Sequence, residues 1–211
     1  WSSDVCSSDL IILHELRVEK SGALEEKILK ELAFVGLEKS RMQIRVEREE
    51  NFNERGFDDV CFLISTNPGE PLMPLEKVLS GGELSRIMLA LKCVFAEKDE
   101  IPTLIFDEID TGISGAVAQR VGEKMYQLSC THQVLCITHL PQIAILSDYH
   151  YFVTKNVVDN KTFTSIKVLK IEEKELEISK MLSGNDVTEA TLNNVKEMIR
   201  ISEEKKKEIK N

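Results

Sequence analysis

A four-residue apolar run, Thr103-Leu104-Ile105-Phe106, stops abruptly at two acids, Asp107 and Glu108. A second apolar run, Val134 to Ile137, follows after a helical pattern traced by Val117, Val121, Met125 and Leu128. This arrangement constrains the fold more than any other part of the chain. A strand–helix–strand unit of this length predicts two parallel strands joined by a right-handed crossover, the first strand buried on both faces. Parallel pairing aligns carboxyl ends, so Asp107-Glu108 and Thr138-His139 are expected side by side, where open α/β sheets gather ligands.

A second motif, Leu79-Ser80-Gly81-Gly82-Glu83, opens a helix whose apolar face is predicted to be Leu84, Ile87, Met88, Leu91 and Phe95. Ser80 and Glu83 have the spacing of a capping box, which by itself explains them structurally. A capping box needs neither glycine. Gly81 and Gly82 each cost about 1 kcal/mol against alanine in a helix, so close approach of an anion such as phosphate is the compensating benefit they imply. Asp107 is suited to hold Mg²⁺ and Glu108 to orient or deprotonate a water, against the plainer reading of a solvated strand end. His139 at the adjacent strand end is suited to touch a transferring phosphoryl group. His14, His132 and His150 lack such company and receive no role. A phosphate-cradling Gly-x-x-x-x-Gly-Lys-Ser/Thr loop does not occur in these residues.

The bulk properties narrow the partners. At 211 residues and 42% hydrophobic composition the chain can bury one sizeable core. Its net charge of -9 argues against a broadly basic nucleic-acid surface, so DNA contact is expected elsewhere. The cysteines form no C-x-x-C pair; Cys61, Cys93, Cys130 and Cys136 read as reduced thiols of a cytoplasmic protein, with Cys93 and Cys136 packed in apolar runs. No run approaches the roughly 18 apolar residues of a membrane span.

Along the chain, residues 1–10 differ from the rest. They are Ser/Asp-rich without periodicity, and the codons TGG AGT TCA GAC GTG TGC TCT TCC GAT CTN, which encode them, resemble a common library adapter. They are read as non-native, with a natural amino-terminal part missing. Subtracting Asp4 and Asp9 changes the net charge from -9 to -7, which alters nothing above. Residues 11–37 form an amphipathic helix through Leu13, Leu16, Leu24, Ile28, Leu32 and Val35, either the end of a coiled-coil arm or an ordinary surface helix, with Gly36 at its carboxyl end. Residues 38–202 form the globular body. Within it, Met42 to Glu47 and Val60 to Thr66 read as strands, Asn51 to Asp59 as a polar separator and Pro68-Gly69-Glu70-Pro71 as a loop. Tyr151 to Thr154 and Phe163 to Leu169 read as strands around an Asp159-Asn160 turn, followed by helices near Glu172 to Leu182 and Val187 to Ile201. Residues 203–211 are a charged tail, with Lys205-Lys206-Lys207 on a solvated, frayed end.

Together these residues resemble a known family. Leu79-Ser80-Gly81-Gly82-Glu83 resembles the ABC signature, Thr103 to Glu108 the Walker B strand with its glutamate, Asp110-Thr111-Gly112 the D-loop and Thr138-His139 the switch histidine. More narrowly, Ile64 to Pro71, Gly81 to Leu91, Phe106 to Gly112 and Thr138-His139-Leu140-Pro141-Gln142 resemble the RecN family, SMC-like bacterial DNA repair proteins. The resemblance implies an α/β fold, the C-terminal lobe of an ABC-type, P-loop-like ATPase head with a mostly parallel sheet and flanking helices. It implies ATP and Mg²⁺ as cofactors and a homodimer through the heads. Ser80 and Gly82 would act in trans on the γ-phosphate of a nucleotide bound by a second subunit, with Gly81 and Glu83 in the same nucleotide-binding motif. Asp107, Glu108 and His139 would serve the cis nucleotide, and Asp110 would help couple the two sites. The Walker A lobe and most of the coiled coil are absent from the pattern, so the chain is expected to need an N-terminal head lobe. The implied function is ATP-driven action in double-strand-break repair and recombination, in the cytoplasm at the nucleoid. A transporter's nucleotide-binding subunit and a noncatalytic dimerisation module are the alternatives. The charged helix and two strands before Leu79 distinguish the chain from a transporter, where a helical subdomain is expected.

Overall fold

The structure, a computed structural model, describes residues 3–77, 81–96, 101–158 and 161–210. It divides into two units, Trp1–Asp99 and Glu100–Asn211.

In the first unit α1 spans Ser3–Phe34. It extends the expected helix backwards through most of the segment set aside at the amino terminus, where Ser3 to Leu10 contain no proline or glycine to break it. The other end closes as expected. Gly36 takes φ 85°, its N–H donates to the Ala33 carbonyl at 3.2 Å, and the Leu37 N–H donates to the Leu32 carbonyl at 2.9 Å. This Schellman pattern satisfies the last carbonyls and folds Leu37 back beside Leu32. Strands β1 (Arg41–Asn53) and β2 (Gly56–Ser65) pair antiparallel from Arg41 opposite Ser65 to Arg48 opposite Asp58, with a bulge before Asn53 opposite Gly56. The two-residue β3 (Met73–Pro74) adds to β2, and helix α2 covers Gly81–Phe95. Ile28 and Leu32 from α1, Leu37, Met42, Ile44 and Ile64 from the strands and their approach, and Ile87, Ala90 and Leu91 from α2 make one core. Met88, expected on that face, is exposed, as is Leu16 of α1.

The hairpin runs straight through the polar stretch expected to separate the strands. Its outer end is held by α1 through Asp58, whose side chain is 1% exposed. Asp58 Oδ1 lies 2.6 Å from His14 Nδ1, Arg17 Nη1 donates to Asp58 Oδ2 at 2.8 Å, and Arg17 Nη2 donates to the Arg55 carbonyl at 2.7 Å. Burial alone would raise the Asp58 pKa, but the hydrogen bonds from Arg17 and His14 outweigh it and hold the carboxyl below its ordinary value.

The second unit contains β4 (Thr103–Phe106), α3 (Gly115–Ser129), β5 (Gln133–Cys136), the single turn α4 (Pro141–Ala144), β6 (Tyr151–Val158), β7 (Lys161–Val168), α5 (Ile171–Ser183) and α6 (Glu189–Lys210). The predicted strand–helix–strand unit forms: β4 and β5 pair parallel, Thr103 opposite Gln133 through Phe106 opposite Cys136. Among the described residues this is the parallel part of the fold. The other pairings, including β6 with β7, are antiparallel because their short connections cannot make a crossover. One correction concerns β4. It was expected to be buried on both faces, but only Leu104 and Phe106 are buried while Ile105 is exposed, together with Leu135 and Ile137. The Asp159-Asn160 turn lies outside the described residues.

A second correction concerns the carboxyl terminus. The expected frayed tail is helical to Lys210, and Lys206 is buried rather than solvated. Lys206 Nζ donates to Asp148 Oδ1 at 3.0 Å and Glu203 Oε1 at 2.8 Å, and it lies 5.2 Å from the Tyr126 ring centroid. Paired in this way, a lysine can leave water. Nearby, Lys174 Nζ donates to the carbonyls of Ser147 (2.5 Å) and Ile145 (3.3 Å) just after α4. Burial first, then the positive charge of Lys206, pulls its pKa down to about 8, with Glu203 and Asp148 opposing.

The Lys174 shift has a pH consequence. Between about pH 8 and about pH 10.5 the folded state holds fewer protons on Lys174 than the unfolded chain, so this residue makes stability rise with pH there. Urea unfolding at pH 7.5 and 9.5 is expected to show this upward contribution, and Lys174→Met to remove it whatever its absolute stability. An unchanged slope in the variant would refute the assignment.

Candidate active site

The site is built at the carboxyl end of the β4–β5 pair. The ladder runs one step past the strands, with the Ile137 N–H donating to the Phe106 carbonyl at 3.0 Å, so segments 107–110 and 137–140 leave the sheet as neighbours. Asp107 and Glu108 are both exposed there. Asp107 Oδ1 accepts the Glu108 N–H at 3.0 Å. Glu108 has φ 56° and is the non-glycine residue with positive φ among those described. A left-handed residue lets the chain turn at once after a strand, and the Thr111 N–H donates to the Glu108 carbonyl at 3.1 Å to close that turn. Gly112 at φ 75° continues the reversal into α3.

His139 lies opposite, its side chain 76% exposed. Asp110 is only 4% exposed. Its Oδ2 accepts from Thr138 Oγ1 at 2.6 Å and from the His139 N–H at 2.9 Å, and lies 3.0 Å from His139 Nδ1. The link between Asp110 and Thr138-His139 was missed from sequence. The in-register apolar runs carried the signal, since they place the two following loops side by side. Cys136 just beneath is pushed up to about 12, by burial first and then by Asp110 and Asp107, so it stays a protonated thiol.

The metal expectation fits the donor chemistry. Mg²⁺ is commonly held by one or two carboxylates, with water and phosphate oxygens completing its shell, and a single exposed Asp107 beside a strand end supplies such a donor. Among the described residues no group of three or more His, Cys, Asp or Glu is placed to hold a metal ion.

The signature motif belongs to the first unit. Leu79 and Ser80 lie outside the described residues. Gly81 and Gly82 form the first turn of α2, Gly81 exposed and Gly82 buried. Glu83 Oε2 accepts from Thr66 Oγ1 at 3.0 Å, tying this turn to the end of β2. Burial draws the Arg86 guanidinium below its ordinary value, and the Glu83 carboxylate counteracts it.

Known proteins share this architecture. The solved Smc head domain with a coiled coil and joint from Pyrococcus yayanosii superposes with a TM-score of 0.53 at 18% identity, covering 75% of this chain and 29% of that one. An Smc head domain from Pyrococcus furiosus gives 0.50 at 19% identity, covering 84% and 44%. The fold is thus the α/β fold of SMC head domains. No protein-family model matches the chain. Its sequence is 43% identical over 194 residues to the DNA repair protein RecN of Halalkalibacterium halodurans, 90% of this chain and 34% of that protein. It is 49% identical over 153 residues to RecN of Bacillus subtilis (72% and 27%) and 43% identical over 188 residues to RecN of Vibrio cholerae (89% and 34%). Over 72–90% of its length the chain is thus similar in sequence to RecN proteins. It spans about a third of the length of the curated relatives it matches. Among the described residues no helix is long and apolar enough to cross a membrane.

Proposed function

We propose that the chain supplies part of the ATP-hydrolysing head of an SMC-like DNA repair protein, working in the cytoplasm at the nucleoid on broken DNA that other regions contact. The observation that carries this is the meeting of Asp107 and Glu108 at the end of β4 with Thr138-His139 at the end of parallel β5. The relatives' names favour DNA repair over a transporter subunit.

In this reading Asp107 is the residue that would hold Mg²⁺. When bound, the ion supplies positive charge against the charge of the transferring phosphoryl group. Glu108, which is exposed, orients a water and takes its proton as the water attacks the γ-phosphorus and the bond to the β,γ-bridging oxygen breaks, releasing ADP. His139 contacts a γ-phosphate oxygen. Ser80, Gly81, Gly82 and Glu83 face a nucleotide held by a second copy, where the N–H groups opening α2 suit an anion. ATP then joins two heads, and hydrolysis releases them. The exposed Ile105, Leu135 and Ile137 on the β4–β5 pair are the face on which an N-terminal lobe carrying the phosphate cradle would complete the sheet.

The test is the purified 211-residue chain. It is expected to bind ATP weakly and hydrolyse it negligibly, while the complete protein hydrolyses ATP and dimerises with it. Turnover by the chain alone that Glu108→Gln abolishes would overturn the division of labour. A complete protein without ATPase would overturn the function.

A further inference from the structure

We infer that Asp110 is a positioning residue for His139 within its own subunit, fixing the loop that carries the imidazole. The inference rests on the ATPase reading of His139 given above. One carboxylate oxygen, Asp110 Oδ2, takes Thr138 Oγ1–H at 2.6 Å and the His139 backbone N–H at 2.9 Å, with His139 Nδ1 at 3.0 Å. Thr138 Oγ1 in turn accepts the Leu140 N–H at 3.0 Å. Side chain, hydroxyl and two backbone N–H groups therefore form one connected network around residues 138–140.

The physical case is the burial contrast between its ends. Asp110 is 4% exposed, so its charge has exchanged water for these donors and is costly to leave without them. The His139 side chain is 76% exposed, so its place is set by the backbone that carries it rather than by packing. A residue this buried is poorly placed to reach a second subunit, which separates this role from inter-site coupling.

The test uses the complete protein and four variants: Asp110→Asn, Asp110→Ala, His139→Ala and the double variant Asp110→Ala/His139→Ala. Asp110→Ala is expected to lower kcat about 10–100-fold with KM for ATP changed only a few-fold. Adding it to His139→Ala is expected to cost nothing further, because a group that acts through another has no independent effect. Losses that multiply would overturn the inference while leaving the ATPase reading intact. His139→Ala without effect on kcat would instead overturn that reading. Asp110→Asn preserves volume where alanine fails to fold, and circular dichroism checks both. Amide hydrogen exchange gives a second readout: the His139 N–H is expected to be protected in the unsubstituted protein and to lose that protection in Asp110→Asn, and equal exchange in the two would overturn the inference.

Discussion

Glu108→Gln in the complete protein is expected to slow ATP hydrolysis by roughly 10²–10⁴-fold while leaving ATP binding largely intact, as loss of a general base does. Gln keeps the size of Glu and the ability to hydrogen-bond a water, but it cannot take the proton. It also inherits the same left-handed backbone at φ 56°, so the variant changes the chemistry of the position without changing its local strain. ATP-driven dimerisation should therefore persist and last longer. Single-turnover hydrolysis measured beside ATP binding checks both halves. Equal rates would remove Glu108 from the chemistry, and lost binding would show that it holds nucleotide instead.

The second large effect concerns folding of the first unit. Leu32→Ala is expected to cost about 2–5 kcal/mol, because the side chain is fully buried and its neighbours come from three directions, with Leu37 folded back by the helix end, Met42, Ile44 and Ile64 on the strands, and Ile87 on α2. Against a typical domain stability of about 5–15 kcal/mol this is a large fraction. Urea unfolding should show a lower midpoint with an unchanged slope. Leu16→Ala on the same helix is the control. Leu16 is 47% exposed, and its truncation is expected to stay within about 0.5 kcal/mol. Equal losses from the two would refute the packing account.

The two residues also mark what was legible in the sequence. The β4–α3–β5 unit could be read because apolar runs bounded by Pro102 and by Asp107 leave few other solutions, and the loops at its end followed from parallel pairing. The hairpin arms were harder. β1 continues through Arg48, Glu49 and Glu50, so main-chain pairing there extends without any alternation of apolar side chains to announce it. The buried Lys206 and the paired Asp58 were invisible for a related reason. Their partners, Asp148 and Glu203 for one, His14 and Arg17 for the other, lie partly at long sequence separation, and a charged residue alone reads as solvated. Asp110 was recognised as part of a motif, but its direction was not. Only the position of the neighbouring strand end turns its carboxylate toward Thr138.

The left-handed turn at Glu108 carries a further consequence for how this position can change over time. Glycine would sit there with less strain, by about 1–2 kcal/mol, and so would raise stability while deleting the carboxylate. Selection for a sturdier fold and selection for turnover thus pull in opposite directions on one codon. Lineages released from the need to hydrolyse nucleotide would be expected to drift there first.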